Sequence, residues 1–225
     1  MRALIIQHES SAPVDGLQSA LAARGWQCEE HVVKGPGAEL PAPGGYDLVA
    51  PLGAAWSAHD EETAPVIAPE LALIREAHAT GVPVFGICFG GQLLATALGG
   101  RTERAARAEY GFVEVETEDA GLVPSGPWFQ FHTDRWSAPP GARTVAWNDA
   151  APQAFVVGRS LGVQFHPEIT PAVLEQWLNG GGTRALLGAG LDPDTVLGEV
   201  RARADATAAL MEGLLDAFLA KVATA

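Results

Sequence analysis

Gly86-Ile87-Cys88-Phe89-Gly90 puts a thiol between two glycines, each two residues away, after an apolar run and before the helix-like stretch 92–98. This is the spacing of a nucleophile elbow. A sharp strand-to-helix turn holds the nucleophile in a strained conformation, and side chains two residues to either side collide unless they are very small. Glycine at 86 and 90 meets that need. The helix N-terminus favours the thiolate form of a thiol whose ordinary pKa is about 8.5. Most free cysteines are simply small buried hydrophobes, and Cys28, which lacks such surroundings, is read that way. For Cys88 the context favours a nucleophile. A thiol nucleophile needs a base, and the base needs an orienting group. His166 follows the strand-like Val163-Gln164-Phe165, and Glu168 lies two residues on, with Pro167 fixing the turn between them. Alone, His-Pro-Glu signals a surface turn. Paired with the elbow, it supplies base and orienting acid.

These residues need a scaffold that brings position 88 to position 166. Residues 3–6 form an apolar run of the kind seen in a parallel strand buried on both faces, ending at Gln7-His8 before a polar turn. Leu17, Ala20 and Leu21 recur at helical spacing and Gly25 stops that helix. Strands are expected over 26–33, 46–52 and 82–87, with a helix over 66–79 between the last two. Three strand-helix alternations in ninety residues specify a doubly wound, mostly parallel α/β sheet with helices on both faces, whose sites lie beyond the carboxyl ends of the strands. The middle of the chain differs. Residues 112–117 alternate with period two, and 155–157 with 163–165 flank a short turn region, so antiparallel hairpins are expected there. Thr170 as cap and Pro171 at the first helical position restart a helix. Residues 192–222 read as helical, with Leu197, Val200, Leu210, Leu214 and Phe218 as a buried stripe giving cover to the core.

The chain of 225 residues is expected to form one domain, 1–225, with a C-terminal helical extension from about residue 180. Hydrophobic residues at 48% and charged residues at 18% exclude disorder as a description of the whole. A formal charge of −13 repels phosphate backbones and anionic headgroups, so neither nucleic acid nor a membrane surface is an expected partner. Residues 79–100 carry no charge, a length that suggests a membrane span, but Pro83, Gln92 and the glycines at 86, 90, 91, 99 and 100 fit a buried strand, turn and helix in series. Two cysteines make no disulfide framework and no signal peptide opens the chain, which points to a reducing cytoplasm. The number of subunits is left open.

The motifs at 86–92 (Gly-Ile-Cys-Phe-Gly-Gly-Gln) and 164–168 (Gln-Phe-His-Pro-Glu) resemble those of the class I, or triad, glutamine amidotransferase family, over roughly residues 4–178. Within it, the order of Phe129-Gln130-Phe131-His132-Thr133-Asp134 and Gln153-Ala154-Phe155 is similar to that of stand-alone proteins related to the glutaminase domain of GMP synthase. The resemblance implies a flavodoxin-like fold and a triad of Cys88, His166 and Glu168 that removes the γ-amide of glutamine through a γ-glutamyl thioester. It further implies that Gln92 contacts the substrate and that the backbone amides of Phe89 and of the Gly53-Ala54 loop form the oxyanion hole. Two positions depart from the family pattern. Gly53-Ala54-Ala55 stands where Gly-Gly-Pro is usual, and a positive φ at 54 would cost alanine about 1 kcal/mol. His132-Thr133-Asp134 replaces His-Gly-Asp near where the α-amino and carboxylate groups of glutamine would dock, which bears on substrate choice.

His132 and Thr133 are therefore candidate substrate contacts, with a satisfied structural histidine the equal alternative for His132. Glu109-Tyr110-Gly111 either rims the pocket or opens a hairpin. His8, His31, His59 and His78 lack ligand spacing or a carboxylate pattern, so they are read as surface or loop histidines, and neither metal nor other cofactor is expected. Three functions follow. The chain is a glutaminase that passes ammonia to a synthase or other acceptor protein, since it has no glycine-rich phosphate loop of its own. Alternatively it is a self-sufficient γ-glutamyl hydrolase or peptidase acting on a γ-glutamyl amide other than glutamine, or a non-catalytic binding module on the same fold.

Overall fold

A computed structural model describes residues 1–8 and 15–224. Strands β1 (Arg2–His8), β2 (Gln27–Val33), β3 (Leu48–Pro51), β4 (Val84–Ile87), β5 (Arg101–Thr117), β6 (Gly126–Ser137), β7 (Arg143–Trp147), β8 (Pro152–Val157) and β9 (Ser160–Val163) form one sheet in the order β2-β1-β3-β4-β9-β8-β7-β5-β6. The first five strands in that order run parallel and the remaining pairings are antiparallel. Helices α1 (Asp15–Ala23), α2 (Ala64–Thr80), α3 (Phe89–Ala97), α4 (Pro171–Trp177), α5 (Thr183–Gly188), α6 (Pro193–Ala202) and α7 (Ala204–Lys221) complete the chain. The polar turn expected after His8 lies outside the described residues.

Side-chain alternation on β1 decides the layering. Ala3 and Ile5 enter one apolar cluster with Leu17 and Leu21 of α1 and Leu214 and Phe218 of α7. Leu4 and Ile6 enter the opposite cluster with Ile74 of α2 and Leu93 and Leu94 of α3. Both faces are covered, so the short parallel strands read as unbroken apolar runs. The uncharged stretch 79–100 is the expected series of strand β4, tight turn and buried α3, and among the described residues no helix is long and apolar enough to cross a membrane.

Three expectations change. The strand seen in the sequence at 112–117 starts eleven residues earlier and pairs with β6 as a long ribbon, with a register shift between Arg104 and Glu109. The helical stretch 192–222 is two helices, because Arg203 (φ −104°, ψ 5°) leaves helical geometry and lays its guanidinium 5.0 Å from the Phe112 ring. Its stripe is thus divided: Leu197 and Val200 join a third cluster on the ribbon with Phe129 and Leu174, while Leu214 and Phe218 cover the sheet. Thr170 caps α4 as anticipated, its hydroxyl accepting from the Val173 amide at 3.2 Å. A π-helical turn, Leu178–Gly182, follows α4 and had no sequence forecast.

Candidate active site

Cys88 caps α3 at φ 52°, ψ −109°, and among the described residues it alone has positive φ without being glycine. Such strain persists only where the surroundings impose it. Here they do: a Cβ on Gly86 would come within 2.6 Å of the Gly90 carbonyl oxygen, and one on Gly90 would run into the Pro51 carbonyl. The Gly90 amide donates to Leu52 O (3.0 Å) and the Cys88 amide to Val163 O (2.8 Å), which fix the elbow to β3 and β9.

Because β4 and β9 are parallel neighbours with Ile87 beside Val163, the chain leaves both at the same edge of the sheet. The His166 amide donates to Phe129 O at 2.8 Å, turning the imidazole back over Cys88. The His166 ring is buried beside Cys88, with Nδ1 2.8 Å from Glu168 Oε1. Burial opposes the imidazolium, but the charges and hydrogen bonds of Cys88 and Glu168 outweigh it and push the His166 pKa up to about 10. Gln164, also buried, donates from Nε2 to Cys88 Sγ at 3.6 Å. The start of α1 closes the Glu168 side, since a Cβ on Gly16 would collide with the Glu168 backbone.

These groups open into a cavity of about 710 Å³. The implied oxyanion residues Gly53, Ala54 and Phe89 line it beside Cys88 and His166. Gly53 abuts the pair so closely that a Cβ there would lie 2.9 Å from His166 Cε1 and 3.9 Å from Cys88 Cβ. The Phe89 amide, first in α3, has no acceptor within its helix. Ala54 does not take a positive φ, so the cost considered for alanine does not arise.

Gln92, His132 and Thr133 also reach the cavity. His132 lines the cavity and its ring is also satisfied by neighbours: Nδ1 lies 2.9 Å from Asp134 O, and Nε2 lies 3.0 Å from Gln130 Oε1 and 3.3 Å from Glu109 Oε2. Glu109 lies within β5 and supports that ring from below, whereas Tyr110 rims the cavity. Burial favours the neutral Glu109 acid, but His132, Asn148 and Gln153 outweigh it and hold the carboxyl below its ordinary range. The Thr133 hydroxyl accepts from Arg104 at 2.9 Å.

Asp134 and His8 are among the cavity residues that the sequence reading did not name as site candidates. Asp134 is buried and accepts from the Ser57 hydroxyl at 2.6 Å; only its place after His132 and Thr133 hinted at it. His8 is the clearer correction. It is no surface or loop histidine: its side chain is fully buried, lines the cavity and pairs with Glu70 at 2.8 Å. The partner lies 62 residues away, so no local pattern announced it. His31 and His78 are half-buried and His59 is exposed. Cys28 is half-buried against the first apolar cluster, and its pKa is raised by burial and by Glu30. Among the described residues no group of His, Cys, Asp and Glu is arranged to hold a metal.

Residues 59–179 match the family described as glutamine amidotransferase class-I. GMP synthase (glutamine-hydrolyzing) of Thermus thermophilus is 42% identical over 119 residues, covering 47% of this chain and 24% of that protein. The Aeropyrum pernix enzyme of the same description is 37% identical over 157 residues, 64% of this chain and 28% of that one. The chain thus matches about a quarter of the length of these relatives. Two solved structures superpose over nearly all of it. A glutamine amidotransferase of Thermotoga maritima gives a TM-score of 0.86 at 27% identity, covering 97% of this chain and 98% of that one. Another from Methylobacillus flagellatus gives 0.86 at 26% identity, covering 98% and 95%.

Proposed function

Because the chain belongs to the class I glutamine amidotransferase family, we propose that it hydrolyses the γ-amide of glutamine at Cys88 and passes the ammonia to an acceptor bound by a synthase partner. The observation that carries this reading is the meeting of the Cys88 thiol and the Glu168 carboxylate on one buried imidazole. The thiolate attacks the amide carbon, and the oxygen that becomes negative is met by the amides of Phe89 and Ala54, each such donor contributing about 10²- to 10³-fold in rate. The His166 imidazolium gives its proton to the amide nitrogen, ammonia leaves, and a γ-glutamyl thioester remains on Cys88. Neutral His166 then takes a proton from water as the oxygen attacks the thioester, and glutamate departs with the thiolate restored. Glu168 keeps Nδ1 protonated and the ring aimed at sulfur, while Gln92, His132 and Thr133 hold the glutamyl group. The partner is the synthase portion, or a protein like it, that the GMP synthase relatives carry.

The test is ammonia release from glutamine by wild type, Cys88→Ala and Cys28→Ala. Loss in the first variant with an unchanged second is expected. Turnover retained by Cys88→Ala overturns the reading.

One observation favours a second substrate. The cavity far exceeds what glutamine fills and lies within the roughly 300–1,000 Å³ range of drug-sized ligands. Trp177 packs 4.6 Å from the His166 ring, where the leaving nitrogen is protonated, and Phe131 and Tyr110 continue that wall at 5.6 and 5.0 Å. An apolar amine joined to the γ-glutamyl group fits such a wall. Faster hydrolysis of γ-glutamyl-p-nitroanilide than of glutamine by the purified chain favours this substrate, and a glutamine rate that rises when a synthase is added favours the first.

A further inference from the structure

His8 ends β1 and Glu70 lies inside α2, and both side chains are at most 1% exposed. Removing two titratable groups from water costs several kcal/mol unless each finds a partner, so the pair calls for a role beyond packing. Nε2 of His8 lies 2.8 Å from Glu70 Oε2, and Nδ1 lies 3.3 Å from the carbonyl oxygen of Gly53. A carbonyl oxygen only accepts. Nδ1 therefore carries a proton, whichever of His8 and Glu70 keeps the proton between them. The same ring packs edge-on against Phe89, 5.0 Å between centroids. His8 thus touches both residues that bracket Cys88 in the cavity wall.

The Gly53 carbonyl and the Ala54 N–H belong to one peptide unit, which is planar and trans, so they point in opposite directions. Pinning the carbonyl on His8 aims the Ala54 amide the other way. Gly53 and Ala54 line the cavity with His8, and Gly53 abuts Cys88 and His166. We propose that His8, seated on buried Glu70, is a positioning residue for the reaction, holding the Gly53 carbonyl through Nδ1 so that the Ala54 amide faces the oxygen that becomes negative during attack by Cys88. The inference rests on the reading of Cys88 as nucleophile.

Two variants separate the two ends of the ring. In His8→Asn the side-chain amide takes the place of Nδ1 and still donates to Gly53. In His8→Gln it takes the place of Nε2, keeping the link to Glu70 and releasing Gly53. His8→Gln is expected to lose about 10²- to 10³-fold in kcat, the worth of one oxyanion donor, with KM little changed. His8→Asn keeps most of kcat, and so does Glu70→Gln, whose amide turned to donate to Nε2 leaves the Nδ1 proton in place. All three alkylate Cys88 with iodoacetamide at the wild-type rate, since that displacement builds no oxyanion; this readout also establishes that the site is folded. Wild-type kcat in His8→Gln, equal losses in the Asn and Gln variants, or a fall in alkylation parallel to kcat would overturn the positioning role. Turnover surviving in Cys88→Ala would instead remove the reading beneath it.

Discussion

At the residue scale, the His166 imidazole carries the sharpest expectation. Its pKa is pushed up to about 10 because Cys88 and Glu168 outweigh burial, so the ring keeps the proton that the proposed mechanism gives to the leaving nitrogen well into alkaline solution. We expect kcat/KM for glutamine to hold from neutral pH upward and to fall only as pH passes about 10. A steep fall near the ordinary histidine value of about 6.5 would contradict it. The stability consequence has the same sign. A group whose pKa is raised on folding stabilises the fold fully below its ordinary value and ceases to do so above the raised one. The gap in unfolding free energy between wild type and His166→Gln should therefore be widest below about pH 6.5 and close as pH rises through about 10. Urea unfolding of both proteins across that window measures it. Glu168→Gln removes the charge and lets Nδ1 lose its fixed proton, for an expected loss of about 10²- to 10⁴-fold in kcat. Single-turnover kinetics on the folded variant tests this.

At the element scale, the strand-turn-helix unit from β4 to α3 explains why the strained turn at Cys88 was legible in the sequence. Its geometry is enforced within a few residues by Gly86 and Gly90, and both glycines are visible at fixed offsets from Cys88. We expect Gly90→Ala to destabilise the protein by about 1–3 kcal/mol or more, because the added methyl meets the Pro51 backbone rather than a side chain that could swing away. Chemical denaturation would show it, and a stability equal to wild type would mean that β3 yields more easily than the contacts suggest. His8 was illegible for the complementary reason. A histidine at a strand end acquires its role only when α2 brings Glu70 and the loop after β3 brings Gly53 against it, and neither contact leaves a periodicity. The break at Arg203 escaped in the same way: apolar spacing continues through it, and what ends the helix is the move from the ribbon's cluster to the sheet's.

At the scale of the whole molecule, the parallel half of the sheet was readable because its strands are short, apolar on both faces and separated by helical spacing. The antiparallel half was readable only in kind, since the alternating signal at 112–117 is a fraction of β5 and gave no hint of β7. The last helix closes the side of the sheet opposite α2 and α3. Phe218 stacks on Phe85 at 5.1 Å, and Arg159 in the turn between β8 and β9 donates to Gly81 O at 2.6 Å and to Ala223 O at 2.7 Å. The chain end thereby clasps the hairpin whose far side leads to His166. Phe218→Ala is expected to cost about 3–5 kcal/mol, read as a lowered urea midpoint. A much smaller loss would mean that α7 is only loosely seated.

The pairing of β4 with β9 also sets when the thiol meets its imidazole. Sulfur and imidazole stem from strands more than seventy positions apart, so a polypeptide still emerging from a ribosome holds an ordinary cysteine until its final hairpin has docked. The rate at which Cys88 is alkylated should change late and abruptly when denatured protein is diluted into buffer and pulsed with an alkylating agent. Gradual onset would mean that the thiol is activated before the sheet has zipped shut.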